Sequence, residues 1–396
     1  MTRVCHVLFE HGIFDGRIFH KEAVSLAQAG YEVVLLVPRL PGGWLGRKRE
    51  HRLSAGESLV RAGVRFETYP YRKWVPRAFG LRNAVCRRDL LAALQRLRPD
   101  LCHFHEDGLT MEVAAALKDS LPSTRLVFDY HEFFLHRLRA SDRKRRGMAR
   151  FAATENRLLA RADGLVTVSD FISDYYRTLT DRPVVTVMNC QSAETFPAAP
   201  AAPAADDTFR VVHEGRMLFD RGLRVLVEAA RRIESPRVRF LLIGDLARSE
   251  RAWFDAETRR HGIADRFEVT GMLPYLEVPE RLRRGSAGVC LIEGANGLTG
   301  IPNKFFNYLR YGLPVLTLEH PILGPMVRNA RCGEVLPRAD AAGALARAID
   351  RLAAEPAATA AMSRAAASLF ANELNWERMS QRLLGLYRAL LSADAR

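Results

Sequence analysis

The chain alternates short apolar runs with amphipathic helical patterns along its length, and this alternation restricts its fold more than any other feature. The runs predict strands at 3–9, 31–38, 64–69, 100–105, 124–130, 163–168 and 184–188, and again at 209–214, 238–243, 267–270, 287–292, 313–318 and 334–336. The helical patterns lie at 17–29, 84–97, 108–119, 145–161 and 170–179, then at 219–233, 249–261, 277–284, 303–311, 340–353, 357–370 and 374–392. Runs rich in β-branched residues and bounded by helices are typical of parallel sheets that are covered on both faces.

The two series of strands are separated by a Pro- and Ala-rich segment at 196–206, which has no apolar period and predicts a semi-stiff linker. With 396 residues, the chain is long enough for two domains of ordinary size. We therefore predict an α/β fold with two doubly wound, Rossmann-like domains, 1–195 and 207–373, that face a cleft. No strand follows the last helix, so we expect 374–396 to pack back on the first domain.

The formal net charge is +14, and most of the excess lies in the first half of the chain. The segment 39–88 has thirteen basic residues against three acidic ones. The sequence has no helix-turn-helix, zinc-finger or RNA-binding signature, so we predict no nucleic-acid partner. Because Trp44 and Trp74 lie among these arginines, the segment suits an anionic membrane surface. The alternative is that the arginines simply occupy solvated loops.

No apolar run approaches the ~20 residues of a membrane-spanning helix, and the N-terminus lacks a signal-peptide pattern. We expect a cytoplasmic protein, with peripheral contact to the inner face of the cell membrane through the basic segment. The six cysteines are scattered and form no Cys-x-x-Cys pair. We therefore expect them to be small buried apolar residues in a reducing compartment.

One stretch, 296–315, predicts an anion site. A glycine-bearing loop runs into a short helix that Gly312 ends and Pro314 cannot continue. Small residues before a helix leave backbone N–H groups free at its N-terminus, where an anion can bind. Lys304 lies in the first turn, where the helix dipole disfavours a cation, and only six lysines occur in this arginine-rich chain. A bound anion would explain a lysine at this position, and a solvent-facing lysine is the alternative.

Polar residues follow many of the predicted strands at their carboxyl ends, where parallel sheets bind ligands. The first domain contributes Gly12, Asp15, Arg17, His105, Glu106, His131 and Glu132, and the second contributes Gly215, Arg216, Arg221 and Gly244. The guanidinium groups of Arg216 and Arg221 suit the paired oxygens of a diphosphate. Together with Lys304 and the amides of Thr299 and Gly300, they predict a metal-free diphosphate site.

Two histidine groups are candidate metal ligands, His103-x-His105 with Asp107, and His131 with His136. The second pair is five residues apart, whereas a zinc-binding helix uses a spacing of four. We expect only one of His103 and His105 to face the site, and we predict no metal. The sequence also lacks the dinucleotide, phosphate-loop and Gly-x-Ser-x-Gly motifs, which argues against a dehydrogenase, a phosphate-loop ATPase and a serine hydrolase.

Several motifs together resemble one enzyme family. They are Asp15-x-Arg17-Ile-Phe-x-Lys-Glu-Ala, His103-x-His105, Asp129-Tyr-His131-Glu132, Gly215-Arg216 with Arg221-Gly222, and Pro302-Asn-Lys304-Phe-Phe-x-Tyr308 with Gly312-Leu-Pro-Val. In this combination, over nearly the whole chain, the sequence resembles the bacterial GT-B glycosyltransferases of the large retaining family 4.

The resemblance implies a hexosyltransferase that retains anomeric configuration and needs neither a metal nor a cofactor besides its nucleotide-sugar donor. The expected acceptor is a glycan or a lipid-linked sugar in cell-surface polysaccharide or glycolipid assembly. The expected catalytic residues are His131 and Glu132 beside the donor sugar, and Arg216, Arg221 and Lys304 on the diphosphate. The expected donor-binding residues are Gly12, Gly215, Gly244, Thr299, Gly300, Asn303 and Asn307, and the acceptor-side residues are Asp15, Arg17, His105 and Glu106.

The chain departs from the family pattern at Asn307, where related sequences usually carry a glutamate that resembles an acceptor for ribose hydroxyls. An asparagine keeps one acceptor oxygen and loses the charge. We therefore expect relaxed selection of the ribose, with deoxyribose donors accepted beside ribonucleotide donors.

Two other functions remain open from the sequence. One is a catalytically silent protein of the same fold that binds a partner glycosyltransferase or a glycan, which the loss of the glutamate at Asn307 would favour. The other is a nucleotide-sugar epimerase of this fold, which would need acid and base carboxylates at its site.

Overall fold

The computed structural model describes residues 1–46, 51–53, 59–72, 81–105, 108–133, 145–194, 207–274, 277–294 and 297–392. Internal contacts divide the chain into two compact units. The first unit comprises Met1–Met188 with Met379–Arg396, and the second comprises Asn189–Arg378.

The first unit is built on a twisted sheet whose centre is parallel. Its strands are β1 (Arg3–Val7), β2 (Glu32–Arg39), β3 (Trp44–Leu45), β4 (His51–Arg52), β5 (Leu59–Arg61), β6 (Val64–Pro70), β7 (Leu101–His105), β8 (Arg125–Tyr130), β9 (Gly164–Thr167) and β10 (Val184–Thr186). The order is β10-β9-β8-β7-β1-β2, and β2 also pairs in parallel with β6. The short strands β3, β4 and β5 pair antiparallel at the margin. Strands β1 and β7, and then β7 and β8, are therefore neighbours, so residues at their carboxyl ends meet.

Helices cover this sheet. They are a π-helical segment (Ile18–Ala23) that continues as α1 (Val24–Gln28), then α2 (Leu81–Leu97), α3 (Gly108–Ser120), α4 (Arg145–Arg161) and α5 (Asp170–Arg177). Ser169 caps α5 by accepting a hydrogen bond from the backbone N–H of Ile172 at 3.4 Å. The core between helices and sheet is formed by fully buried aliphatic and aromatic side chains, Phe104 and Phe128 among them.

The second unit contains a wholly parallel sheet. Its strands are β11 (Phe209–Glu214), β12 (Val238–Ile243), β13 (Phe267–Gly271), β14 (Ala287–Cys290), β15 (Val315–Leu318) and β16 (Gly333–Leu336), in the order β13-β12-β11-β14-β15-β16. Its helices are α6 (Leu223–Arg232), α7 (Arg248–Arg260), α8 (Val278–Leu282), α9 (Asn303–Arg310), α10 (Leu323–Ala330), α11 (Ala341–Ala354) and α12 (Pro356–Asn372). The strand order reverses beside β11, which places the ends of β11 and β14 at the switch point where doubly wound sheets bind ligands.

The prediction of two doubly wound α/β units is confirmed, and all thirteen predicted strands are present with ends that differ by at most two residues. Helix α10 was not predicted, because Gly324 and Pro325 in its first turn indicate a loop. Proline is compatible with the first turn of a helix, where its missing N–H would have no intrahelical partner. The predicted helix at 219–233 is interrupted at Gly222, whose φ of 84° separates a 3-10 turn from α6.

The last helix, α13 (Trp376–Ser392), belongs to both units. At its start, the Trp376 backbone N–H donates to the Gln191 carbonyl at 2.9 Å, within the second unit. Farther along, the Tyr387 hydroxyl lies 2.7 Å from Nδ1 of His103, within the first unit. The units therefore divide at 188/189 and 378/379, whereas the predicted domains end at 195 and 373, because residues 189–194 bond to the beginning of α13.

Each of the six cysteines lies within the described ranges, where it is buried and forms no disulfide. Among the described residues, no helix is both long enough and apolar enough to cross a membrane.

The packing of α9 on β14 generates a stability prediction. A Cβ at Gly288 would lie 2.4 Å from the ring of Tyr308, which is fully buried. Gly288→Ala should therefore lower the free energy of unfolding by about 1–3 kcal/mol through overpacking. Gly385→Ala is the matched control, because no described atom lies within 4 Å of its added Cβ and alanine favours a helix. Chemical denaturation measures both variants, and equal stabilities would contradict this account of the packing.

Candidate functional site

The described residues place two groups of predicted site residues, one in each unit. In the second unit the loops that follow β11, β12 and β14 approach one another so closely that two of their glycines, Gly222 and Gly244, have no room for a side chain. A Cβ on Gly244 would lie 2.4 Å from the Gly215 carbonyl oxygen, and one on Gly222 would lie 2.2 Å from Cβ of Leu291. These contacts bring the carboxyl ends of the three strands together.

Lys304 extends from the first turn of α9 to the end of β11. Its Nζ lies 2.6 Å from Nε2 of His213, a fully buried ring. Burial lowers the pKa of His213 well below its usual value, and the charges of Lys304 and Arg221 add to this effect. The ring is therefore neutral and can accept a hydrogen bond from the ammonium group. Burial also lowers the pKa of Lys304 to about 8, with a further contribution from Arg221.

The N-terminus of α9 can accept an anion. In the described structure Pro302 occupies the N-cap position and makes no side-chain hydrogen bond to the first turn. Thr299 is buried in the preceding loop, Gly300 is half-buried, and Asn303 is exposed. Free amides at the start of a helix attract negative charge, as the sequence predicted for this stretch.

His320 orients that loop and was not predicted. Its Nδ1 accepts the backbone N–H groups of Ile322 and Leu323, both at 3.1 Å. The proton must therefore be on Nε2, which donates to the Gly297 carbonyl oxygen at 3.1 Å. A lone histidine after a strand gave no sequence signal for this role, because its partners come from two separate loops.

Arg216 and Arg221 are exposed at the same edge of the sheet. The effect of Arg221 on the pKa of Lys304 shows that these two charges interact. Within the described ranges, none of the three cations of this edge forms a salt bridge, although many arginines of the chain do. The edge therefore carries positive charge that no described carboxylate pairs with directly.

Asn307 makes a contact that the sequence analysis did not predict. Its side-chain nitrogen lies 2.7 and 2.8 Å from the two carboxylate oxygens of Glu214, the last residue of β11. The backbone N–H of Glu214 donates to the Tyr308 hydroxyl at 2.9 Å. Burial raises the pKa of Glu214, and the amide of Asn307 and the charge of Lys304 oppose that change. A carboxylate is therefore present beside position 307, on the neighbouring strand instead of the helix.

In the first unit, Arg17 is buried against two acidic residues. Its Nε and Nη2 donate to Oδ2 of Asp129 at 3.1 and 2.9 Å, and its Nε lies 2.9 Å from Oε1 of Glu22. Its Nη1 donates to the Val187 carbonyl at 2.6 Å. Burial opposes the charge of Asp129, but Arg17 lowers the pKa of this carboxyl well below its usual value. Burial raises the pKa of Glu22 well above its usual value, and the charge of Arg17 opposes that change.

A chain of histidines continues from Asp129. Its Oδ2 lies 3.1 Å from Nε2 of His131, which lies 3.2 Å from Nδ1 of His105. Nε2 of His105 lies 2.9 Å from Nδ1 of His6. Burial lowers the pKa of His131, and it lowers that of His105 to about 4, so both rings are neutral near pH 7.

The expectation that only one of His103 and His105 faces the site is wrong. Their ring centroids are 4.5 Å apart, and both lie close to the ring of His6. Residues two apart on a strand point to the same face, because side chains alternate with a period of two. The direction of their side chains is therefore no argument against this pair as metal ligands.

Among the described residues of this unit, two groups of side chains have the composition of metal ligands, with donor atoms within 4.8 Å of one another. They are His6, Glu22, His103 and His105, and His105, Asp129 and His131. Arg17 already supplies a positive charge to Glu22 and Asp129, so the acids do not require a metal for neutralisation. The absence of a bound metal stays a prediction. Asp107 and His136, the other predicted ligands, lie outside the described residues, as does Glu106.

The remaining predicted residues of this unit have separate positions. Gly12 is buried, and its carbonyl accepts the Asp15 N–H at 3.1 Å. The Asp15 carboxylate accepts the N–H groups of Arg17 and Ile18 at 2.8 and 3.0 Å, which gives it a capping role at the start of the first helical segment. Burial disfavours its charge, but hydrogen bonds from His11 and from these amides lower its pKa. Glu132 is exposed.

The sequence and the structure were each compared with known proteins, and the two results agree. Residues 16–190 match the family described as glycosyl transferase 4-like domain, and residues 208–355 match glycosyl transferases group 1. The chain is 30% identical over 282 residues to 2-deoxystreptamine N-acetyl-D-glucosaminyltransferase of Streptomyces fradiae, which covers 64% of this chain and 63% of that protein. The chain therefore spans less than two thirds of that relative's length.

Two solved structures are similar over almost the whole chain. Sucrose-phosphate synthase of Thermosynechococcus elongatus has a TM-score of 0.76 at 18% identity, covering 99% of this chain and 100% of that one. The Anabaena protein HepE, solved in complex with UDP, has a TM-score of 0.75 at 12% identity, covering 98% and 100%. At these identities the likeness concerns the fold.

The buried ion pair of the first unit generates a prediction about stability. Arg17→Ala would leave the Asp129 carboxylate buried without its cation, so the free energy of unfolding should fall by about 3–5 kcal/mol. Arg177→Ala is the matched control in the same unit, because Arg177 and its partner Asp174 are exposed and such pairs contribute about 0–1 kcal/mol. Denaturant titration compares the two variants. A loss of under 1 kcal/mol in Arg17→Ala would show that the guanidinium does not hold this cluster.

Proposed function

Since the chain belongs to the group 1 glycosyltransferases of the GT-B fold, we propose that it transfers a hexosyl group from a nucleoside-diphosphate sugar to an acceptor hydroxyl. The observation that carries the proposal is the group of three cations without described salt-bridge partners at the carboxyl edge of the second sheet. Lys304 is the most informative of them. Its ammonium group contacts a neutral histidine, whereas a carboxylate would be needed to balance its charge. An anionic ligand is the partner that this arrangement lacks.

In the proposed reaction the bond between the anomeric carbon and the diphosphate oxygen breaks, and the acceptor oxygen forms the new bond to that carbon. The bonding electrons leave with the diphosphate, so negative charge develops on its oxygens, and the proton of the acceptor hydroxyl passes to one of these oxygens. Lys304, Arg221 and Arg216, with the amides at the start of α9, stabilise that charge. Groups that bind the developing charge more strongly than the substrate lower the barrier.

We further propose that the reaction retains anomeric configuration and needs no divalent ion. Both follow from the family resemblance, and three cationic side chains can supply the charge that a metal would otherwise contribute. Turnover in the presence of EDTA and the anomeric coupling of the product, measured by NMR, test the two statements separately.

The first unit contributes His131 to the proposal. Asp129 accepts a hydrogen bond from this ring and so fixes its orientation, which suits a group that contacts a sugar hydroxyl. Glu132 is proposed to shape the same sugar pocket, and Asp15, Arg17 and His105 to support the acceptor side.

The relatives suggest candidates for the substrates. The HepE structure holds UDP, and the Streptomyces fradiae relative is named for transfer of N-acetylglucosamine, so UDP-sugars are the first donors to examine.

The acceptor is proposed to belong to cell-surface polysaccharide or glycolipid assembly. The basic segment 39–88 would bring the enzyme to an anionic membrane, which sedimentation with anionic and neutral vesicles measures. Trp74 in that segment lies outside the described residues.

Loss of a cation from the diphosphate site should be visible in binding and in catalysis. Lys304→Ala and Arg216→Ala should each raise the Kd for UDP by about 10- to 100-fold, the equivalent of about 1.5–3 kcal/mol for a hydrogen bond to a charged group. Turnover should fall by at least as much, because the charge grows as the bond breaks. Calorimetric titration and donor hydrolysis measure the two quantities.

Arg232→Ala serves as the control for these variants, because this exposed arginine pairs with Glu228 on α6. It should bind UDP like the wild type. Unchanged UDP binding in both Lys304→Ala and Arg216→Ala would refute the diphosphate site. Binding without any transfer or hydrolysis of several nucleotide sugars would instead favour the catalytically silent alternative.

The lowered pKa of Lys304 generates a pH prediction. Lysine carries its charge below its pKa, so affinity for UDP should be greatest below pH 8 and should fall as the pH rises through about 8. The loss should approach tenfold per pH unit above that point. Lys304→Arg should keep its charge and bind UDP equally from pH 7 to 9.5. A wild-type affinity that is constant over this range would contradict the prediction, whatever the variant does.

A further inference from the structure

We propose that Glu214 accepts hydrogen bonds from hydroxyl groups of the nucleotide sugar, and that Asn307 positions it for this task. The inference rests on the proposed function, since it concerns the same edge of the second sheet. It replaces the expectation that Asn307 itself contacts the ligand's hydroxyls.

The contacts of Glu214 show that its side chain is fixed in place. Its backbone N–H is held by the Tyr308 hydroxyl, and both of its carboxylate oxygens are held by the amide of Asn307. Tyr308 is itself fully buried, and its hydroxyl also lies 3.2 Å from the Val212 carbonyl. Two adjacent residues of α9 therefore fix the backbone and the carboxylate of Glu214 together, which is the preorganisation that a recognition group requires.

The carboxylate also retains capacity for a ligand. Glu214 is only half-buried. An ionised carboxylate has about four acceptor positions, and the single amide nitrogen of Asn307 uses only some of them. The same amide nitrogen is a donor and cannot accept a hydroxyl proton. The carboxylate of Glu214 can therefore accept two further hydrogen bonds here, and the side-chain nitrogen of Asn307 cannot.

The charge of Glu214 indicates which part of the ligand it contacts. A carboxylate repels phosphate oxygens, so it cannot be a diphosphate ligand, even though the charge of Lys304 interacts with it. The remaining polar groups of a nucleoside-diphosphate hexose are mainly hydroxyls, on the ribose and on the hexose. Hydroxyls donate to carboxylates in short, charge-assisted hydrogen bonds. The two sources share this chemistry, and the experiment separates them.

The experiment measures two kinds of affinity ratio by calorimetry. The first compares UDP with each of 2′-deoxy-UDP and 3′-deoxy-UDP, and the second compares UDP-glucose with UDP. Glu214→Gln keeps the size of the side chain and removes its charge. We expect it to reduce at least one of the ratios by about fivefold or more. A reduced first ratio assigns the ribose hydroxyls, and a reduced second ratio assigns those of the hexose. Glu268→Gln, on strand β13 beside Arg281 and Arg284, is the matched control and should change neither ratio.

A second variant tests the positioning role of Asn307 while leaving Glu214 in the chain. Asn307→Ala should reduce the same ratio as Glu214→Gln, and to a smaller extent, because the carboxylate is then present but no longer fixed. Asn307→Glu should lower UDP affinity, because it places a second carboxylate at the position of a 2.7 Å contact. Combining it with Glu214→Gln should restore the affinity, since one charge and one amide again face each other.

The outcomes separate this inference from the function on which it rests. If the wild type binds UDP and both ratios stay within twofold in Glu214→Gln and in Asn307→Ala, the inference is wrong and the diphosphate site stands. If the wild type binds none of UDP, GDP and ADP, the proposed function fails and the inference fails with it. If the Glu214→Gln variant does not fold, the Asn307→Ala variant takes its place in the experiment. Unchanged affinity ratios in Asn307→Ala would then overturn the proposal by themselves.

Discussion

The second unit depends on a cation that the protein places where its own structure disfavours one. Lys304 lies in the first turn of α9, against the positive end of the helix dipole, and its ammonium group contacts a buried neutral ring. Burial and the neighbouring arginine lower its pKa to about 8, so the free protein keeps this charge at a cost in stability. Such a cost is common at sites that must bind an oppositely charged group. The close approach of the glycine loops and the fixed tautomer of His320 hold the backbone around this charge.

The first unit also contains a buried cation, but there the acidic partners of the cation are part of the protein. Arg17 lies in a buried cluster with Asp129 and Glu22, so these two acids have a cation within the protein. The histidines beside it are neutral, and they extend the cluster across β8, β7 and β1. This cluster is consequently suited to orienting His131. The cations of the second unit are, in contrast, suited to receiving a ligand.

Much of the fold could be predicted because strand and helix signals are local. Runs such as 238–243 contain β-branched and aliphatic residues between helical patterns, and all the predicted strands are present. Lys304 could be singled out because its place in the sequence conflicts with the dipole rule. Glu214, His320, Glu22 and His6 could not be found in this way, because their partners are distant in sequence and meet only at the sheet edge or in the core. The expectation for His103 and His105 was wrong for a different reason, because residues two apart on a strand lie on the same face of the sheet.

Our central proposal is that the carboxyl edge of the second sheet binds a nucleoside diphosphate through Lys304. A crystal structure of the protein with UDP tests this directly. We expect a diphosphate oxygen within hydrogen-bonding distance of Nζ of Lys304 and of an amide in the first turn of α9, with the ammonium group turned away from His213. Diphosphate bound elsewhere, with the 2.6 Å contact between Lys304 and His213 intact, would contradict it.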